Sequence, residues 1–184
     1  MNYLCILFIR VKGGIFIKNV RKMVLSSLFA ALMAVCAWIS VPVPTVSFTL
    51  QTFGVFLSLG VLGGKWGTVS IFLYLLLGAV GLPVFAGFGS GMSVLVGPTA
   101  GFLWGFLWAG AVFWGAERLS KRAAMAGAMA ACYLSGCLWF DYWAGGAGFG
   151  AAMMTCVVPY LIPDAVKLWL AWKVSGRIRR SVRI

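Results

Sequence analysis

Apolar residues fall into six long runs, at 23–41, 50–64, 66–82, 97–116, 123–140 and 149–172, with little polar chain between them. A membrane-spanning helix needs roughly 20 mostly apolar residues. Six such runs nearly exhaust a chain of 184 residues and leave no room for a soluble domain. Where every face meets lipid or protein, helical periodicity says little, so the placement of charge becomes the guide. Arg10, Lys12, Lys18, Arg21 and Lys22 precede the first run, and Lys65 separates the second from the third. Glu117, Arg118, Lys121 and Arg122 separate the fourth from the fifth, and Lys173, Arg177, Arg179, Arg180 and Arg183 follow the sixth. With six crossings these clusters share one side, while 42–49, 83–96 and 141–148 contain no Lys or Arg. Five or seven crossings would scatter them. Basic residues mark the cytoplasmic side.

The expected architecture is therefore an all-α membrane protein, a bundle of six transmembrane helices with both termini cytoplasmic. A multi-pass place in a membrane follows. Residues 23–176 form the membrane domain and 177–184 a basic tail. Residues 1–22 read as an extension, either an interfacial anchor or a stretch preceding a start at Met23. The runs at 50–64 and 66–82 are short for a full crossing, so they are expected to be shallow, kinked or continued into their loops. The stretch 83–96 is rich in Gly and apolar residues, unlike an exposed loop, and is expected to fold back onto the bundle or line a cavity.

Composition narrows the function. The chain is 62% hydrophobic and 10% charged, with a net charge of +12. Its basic residues flank apolar runs instead of covering a polar surface, which indicates contact with the lipid bilayer and no nucleic acid. There is no His, which excludes Ser-His-Asp chemistry and His-ligated metal. The five Cys contain no Cys-x-x-Cys pair and read as small apolar packing residues. Gly87-Phe88-Gly89-Ser90-Gly91 does not match a dinucleotide fingerprint, and Gly64-Lys65-Trp66 lacks the rest of a P-loop. No cofactor, metal or ATPase of its own is expected. A membrane enzyme acting on lipids would need paired catalytic carboxylates or His at the interface, and no such constellation is found.

One basic residue breaks the charge rule. Lys167 lies inside the sixth run, three residues after Asp164, so both side chains share one helical face. The pair reads either as a self-satisfied structural ion pair or as a ligand clamp. As a clamp, Asp accepts and Lys donates, which suits a group presenting both N–H donors and a C=O acceptor, such as a ureido group. Pro159 and Pro163 precede the pair and are expected to bend the helix there. Thr49, Gln51 and Thr52 form a second polar group, in which Thr49 either caps a helix or lines the same pocket. Gly97, Gly101, Gly105 and Ala109 form one stripe of small residues, and Ser26, Ala30 and Ala34 another. Such stripes serve internal helix packing or a docking face for a second membrane subunit.

Phe48-Thr-Leu-Gln-Thr-Phe53, Leu75-Leu-Leu-Gly-Ala-Val-Gly-Leu-Pro-Val-Phe-Ala86, Gly97-Pro-Thr-Ala-Gly101 and Asp164-x-x-Lys167 occur in this order. Together they resemble the BioY family, the biotin-binding S components of energy-coupling factor (ECF) transporters, from about Met23 to the last helix. The resemblance implies a six-helix S-component fold, multi-pass in the plasma (inner) membrane of a prokaryotic cell, that captures biotin from outside. Partner subunits, a transmembrane T component and ABC-type ATPases, would supply the energy. It implies ligand contacts at Asp164 and Lys167, at Thr49, Gln51 and Thr52, and at Gly97, Pro98 and Thr99, and T-component docking at Ala30 and Ala34. Ala100 stands where the family commonly has glycine. Phe85 and Gly87 are further candidates for the pocket, and Trp139, Phe85 or Tyr160 could cover the apolar part of biotin. The alternatives are an S component for another vitamin, such as thiamine or riboflavin, and a membrane assembly subunit that binds no ligand.

Overall fold

The computed structural model describes residues 2–41, 47–146 and 148–181, with side chains from residue 19 onward. Eight α-helices are seen among these residues: α1 (Asn2–Trp38), α2 (Gln51–Leu62), α3 (Gly64–Ala79), α4 (Met92–Val96), α5 (Ala100–Ala116), α6 (Lys121–Trp143), α7 (Phe149–Cys156) and α8 (Leu161–Ser181). A two-residue antiparallel pair, β1 (Ser40–Val41) with β2 (Phe48–Thr49), joins α1 to α2. The six apolar runs correspond to α1, α2, α3, α5, α6 and the α7–α8 pair.

Three stretches are long and apolar enough to cross a membrane: Asn19–Trp38, Lys121–Trp143 and Phe149–Ser181. The other three, α2, α3 and α5, are shorter. α2 is the central element, for every residue from Gly54 to Leu62 is buried. It packs against α1, α3 and α8.

Two contacts give the directions of α2 and α8. Lys167 Nζ donates to the Thr49 carbonyl just before α2 (2.7 Å), and Arg179 Nε donates to Val61 O in its last turn (2.9 Å). The intervals 167–179 and 49–61 are equal, so the two helices run parallel. That is the relation required of the second and sixth elements of an alternating bundle.

The basic residues gather at one end. The Leu62–Gly64 turn meets Glu117, whose Oε2 accepts from Gly64 N (3.0 Å), and Arg179 lies beside it. Lys65, Arg118, Lys121 and Arg122 belong to the same turns. Arg21 and Lys22 lie about one turn before Ser26, whose hydroxyl donates to Trp66 O (3.2 Å). Arg10, Lys12, Lys18, Arg183 and Cys5 lie outside the described side chains, as does 42–46 of the first outer stretch.

Several expectations are revised. The sixth run is broken at Val157 rather than bent: Pro159 sits in a 3-10 turn, Val158–Tyr160, and Pro163 in the first turn of α8, where its missing N–H costs no hydrogen bond. α8 extends to Ser181 and α1 covers residues 22 and 23, so the divisions expected at 22 and 176 fall within helices. The stretch 83–96 does fold back, through a short turn Ala86–Phe88 and α4, burying Val84, Phe85 and Leu95. The Gly101–Gly105–Ala109 stripe lets α5 lie against α6. A Cβ on Gly101 would stand 2.2 Å from Trp139 Cβ. Gly97 lies outside the helix.

Ala30 and Ala34, expected as a docking face, are buried within the chain's own bundle. They are 1% and 6% exposed, on the side of α1 that packs on α2 and α3. Gly54 of α2 meets Met33 and Cys36 there, and Ser70 of α3 donates to Ser26 O (2.6 Å). Within this chain the stripe serves the packing of α1 on α2 and α3.

Candidate ligand-binding site

The site begins on α8. Asp164, Lys167, Ala171 and Ser175 are its buried residues, one stripe facing the bundle. Lys167 Nζ donates to Asp164 Oδ1 (2.8 Å), and both side chains are less than a tenth exposed. A buried ion pair needs good geometry and further hydrogen bonds to offset its desolvation. Here Tyr133 Oη of α6 donates to Asp164 Oδ2 (2.7 Å), and Lys167 also donates to Thr49 O. The ammonium lies 3.8 Å from the centre of the Phe48 ring, a favourable cation–π contact. Phe48 in turn stacks with Tyr160. The pair thus draws together β2, α6, α8 and the turn before it.

This pair borders a cavity of about 210 Å³. Polar groups reach it from Thr49, Gln51, Thr52, Thr99, Tyr133, Asp164 and Lys167. The apolar wall is Phe85, Val94, Phe102, Leu103, Phe106 and Tyr160. Cys132 and Cys156 also line it, and with Cys36 and Cys137 they are free thiols. Few converging polar groups on a largely apolar wall are the mark of a small-molecule site. An ammonium has three donors and a carboxylate about four acceptor positions. Two ammonium N–H groups are committed, and each Asp164 oxygen takes one bond, so capacity remains on both for a ligand. Among the described residues no group of three or more His, Cys, Asp or Glu could hold a metal.

Seven of the ten candidate ligand residues line this cavity: Asp164, Lys167, Thr49, Gln51, Thr52, Phe85 and Thr99. Gly87, Gly97 and Pro98 do not. Gly87 is exposed in the short turn at φ +63, and the Gly97 carbonyl accepts from Trp139 Nε1 (2.9 Å). That bond turns Trp139 away from the cavity, so of the three aromatic candidates only Phe85 and Tyr160 line it. Neither glycine has a side chain to project, and both serve the backbone around the site. Thr49 does not cap α2, where Leu50 is the N-cap residue without a side-chain bond. Its carbonyl receives Lys167 instead.

Sequence reasoning missed Tyr133, Phe48 and the α5 face Phe102–Leu103–Phe106. Tyr133 left one signal, a hydroxyl within an apolar run that must find a partner. The α5 face left none, because that helix is apolar on all sides.

Comparison with known proteins places this architecture. The BioY family model matches residues 10–184. The Pyrococcus horikoshii protein described as "Probable biotin transporter BioY" is 38% identical over 160 residues, 86% of this chain and 96% of that protein. The Thermotoga maritima protein "Biotin transporter BioY" is 56% identical over 87 residues, covering 47% of this chain and about half (52%) of the relative. The crystal structure of the S-component for biotin from an ECF-type ABC transporter superposes with a TM-score of 0.80 at 20% identity, over 89% of this chain and 93% of that one. It shares the fold.

Proposed function

The chain belongs to the BioY family, and from that premise we propose that it is the multi-pass membrane subunit that captures biotin for ATP-driven uptake. The observation that carries the reading is the buried Asp164–Lys167 pair on the wall of an otherwise apolar cavity. Biotin's ureido ring presents two N–H donors beside one C=O acceptor, and its thiophane ring and chain are apolar. Asp164 accepts from an N–H, Lys167 donates to the carbonyl or to the carboxylate, and Phe85, Phe102, Phe106 and Tyr160 cover the apolar part. The cavity lies at the end of the bundle opposite the basic clusters. With those clusters cytoplasmic, the ends of the chain lie inside and the site faces outward.

Binding alone concentrates a ligand but cannot drive it uphill. A T component and ABC-type ATPase subunits supply the energy, and the protein acts as a binder rather than an enzyme. The test uses the purified full chain, titrated with labelled biotin against a panel that includes thiamine and riboflavin. Mass spectrometry identifies any small molecule that copurifies. Biotin binds and the other vitamins fail to compete. Preference for another vitamin would reassign the ligand, and no binding at all would leave an assembly subunit with a structural ion pair.

A further inference from the structure

The second polar group at the cavity, Gln51, is held from behind. Gln51 Nε2 donates to Tyr74 Oη (2.7 Å), and Tyr74 Oη donates to the Val84 carbonyl (3.0 Å). Tyr74 is fully buried in α3 and does not line the cavity. Its ring meets Phe85 edge to face, with centroids 5.6 Å apart.

The direction of this chain follows from elementary valence. A carbonyl oxygen only accepts, and a phenol has one hydrogen. Val84 is buried, and Tyr74 supplies the hydrogen bond to its carbonyl. Turning the hydroxyl elsewhere would leave that carbonyl unpaired, at the full desolvation penalty. The Tyr74 hydrogen is therefore committed, and its oxygen can only accept. A carboxamide can face it with NH2 but not with C=O. Gln51 thus keeps one amide orientation, and Oε1 takes no hydrogen bond from the described residues.

We propose that Tyr74 is a positioning residue for the ligand: through its bond to Val84 it locks the Gln51 carboxamide so that Oε1 accepts from a ligand N–H. Asp164 is an acceptor from α8, and Gln51 becomes a second, uncharged acceptor from α2. Two acceptors suit a ligand with two N–H groups, such as a cyclic urea. The inference rests on the biotin-binding reading and adds the means by which the donor pattern is recognised.

The experiment is a double-mutant cycle on the full chain in lipid nanodiscs, read by labelled-biotin affinity and thermal unfolding. Tyr74→Phe removes one hydroxyl, keeps the ring on Phe85, and is expected to weaken biotin binding roughly tenfold. Gln51→Leu is expected to weaken it at least as much. In the Gln51→Leu background, Tyr74→Phe should cost nothing further, because the tyrosine acts only through the amide. Wild-type affinity in Tyr74→Phe overturns the proposal. So do losses that multiply in the double variant, which would make Tyr74 a support of the fold alone. If Tyr74→Phe does not fold, Gln51→Glu takes its place, since it keeps an acceptor oxygen for the ligand but has no N–H for Tyr74: weakened binding supports the proposal and wild-type affinity overturns it. No biotin binding by the unmodified chain would remove the functional reading itself, and this inference with it.

Discussion

The two ends of the α2–α8 pair use the same chemistry for different ends. At each, a basic side chain on α8 donates to a backbone carbonyl at an end of α2: Lys167 to Thr49 just before it and Arg179 to Val61 in its last turn. Each end also has an acid nearby. Asp164 binds Lys167 directly, whereas Glu117 accepts from Gly64 N at the start of α3. Glu117 there offsets the positive end of the helix. The difference between them is the surroundings. Around Lys167 the elements part and leave a cavity, with aromatic rings and Tyr133 converging on it. Around Arg179 the α2–α3 turn closes, with Gly64 so near Trp114 that a Cβ would lie 2.3 Å from its Cα. A base on a carbonyl is a tie between helices. It becomes a site only where packing is left open and polar capacity is left over.

The largest test of this contrast is at the pair. Asp164→Asn and Lys167→Ala should each lower biotin affinity about a hundredfold or more, measured by calorimetry. Stranding one buried charge should also cost about 3–5 kcal/mol of stability. The double variant Asp164→Leu/Lys167→Met should regain much of that stability, since apolar replacement of a buried pair is often neutral, yet bind no biotin. Recovery of both would make the pair purely structural.

A middle-sized test compares glycines at the two ends. Gly64→Ala meets Trp114 backbone, and Gly78→Ala meets the Phe85 ring at 2.1 Å. Overpacking costs about 1–3 kcal/mol in each case, so both melting temperatures should fall. Because Phe85 lines the cavity, only Gly78→Ala should also weaken binding per folded molecule. Equal binding in the two variants would break the contrast.

The smallest effect is expected at Glu117. Glu117→Gln keeps an oxygen for Gly64 N but removes its charge. It should cost about 0.3–1 kcal/mol, less at high salt, with biotin affinity unchanged. Thermal unfolding at two salt concentrations checks it. A loss of binding would show that the closed end reaches the site.

What was legible in the chain depended on what hydrocarbon forbids. Apolar runs and the segregation of Lys and Arg can be read in one dimension, because a charge in the membrane is expensive wherever the helix lies. For the same reason Asp164 and Lys167 stood out. Thr49, Gln51 and Thr52 stood out as polar residues at the edge of a run. Tyr133, Phe48 and the Phe102–Phe106 face did not, because a helix apolar all round shows no preferred side. The inward turn of Ala30 and Ala34 was equally silent, since small residues suit a partner's helix and the chain's own α2 and α3 alike. Order along the chain is enough to establish a membrane bundle with one anomalous ion pair. Which groups meet that pair, and where the space for a ligand lies, emerge from the folded packing. Those contacts join residues as distant as Thr49 and Lys167, and the neighbours of a side chain are a property of packing rather than of order along the chain.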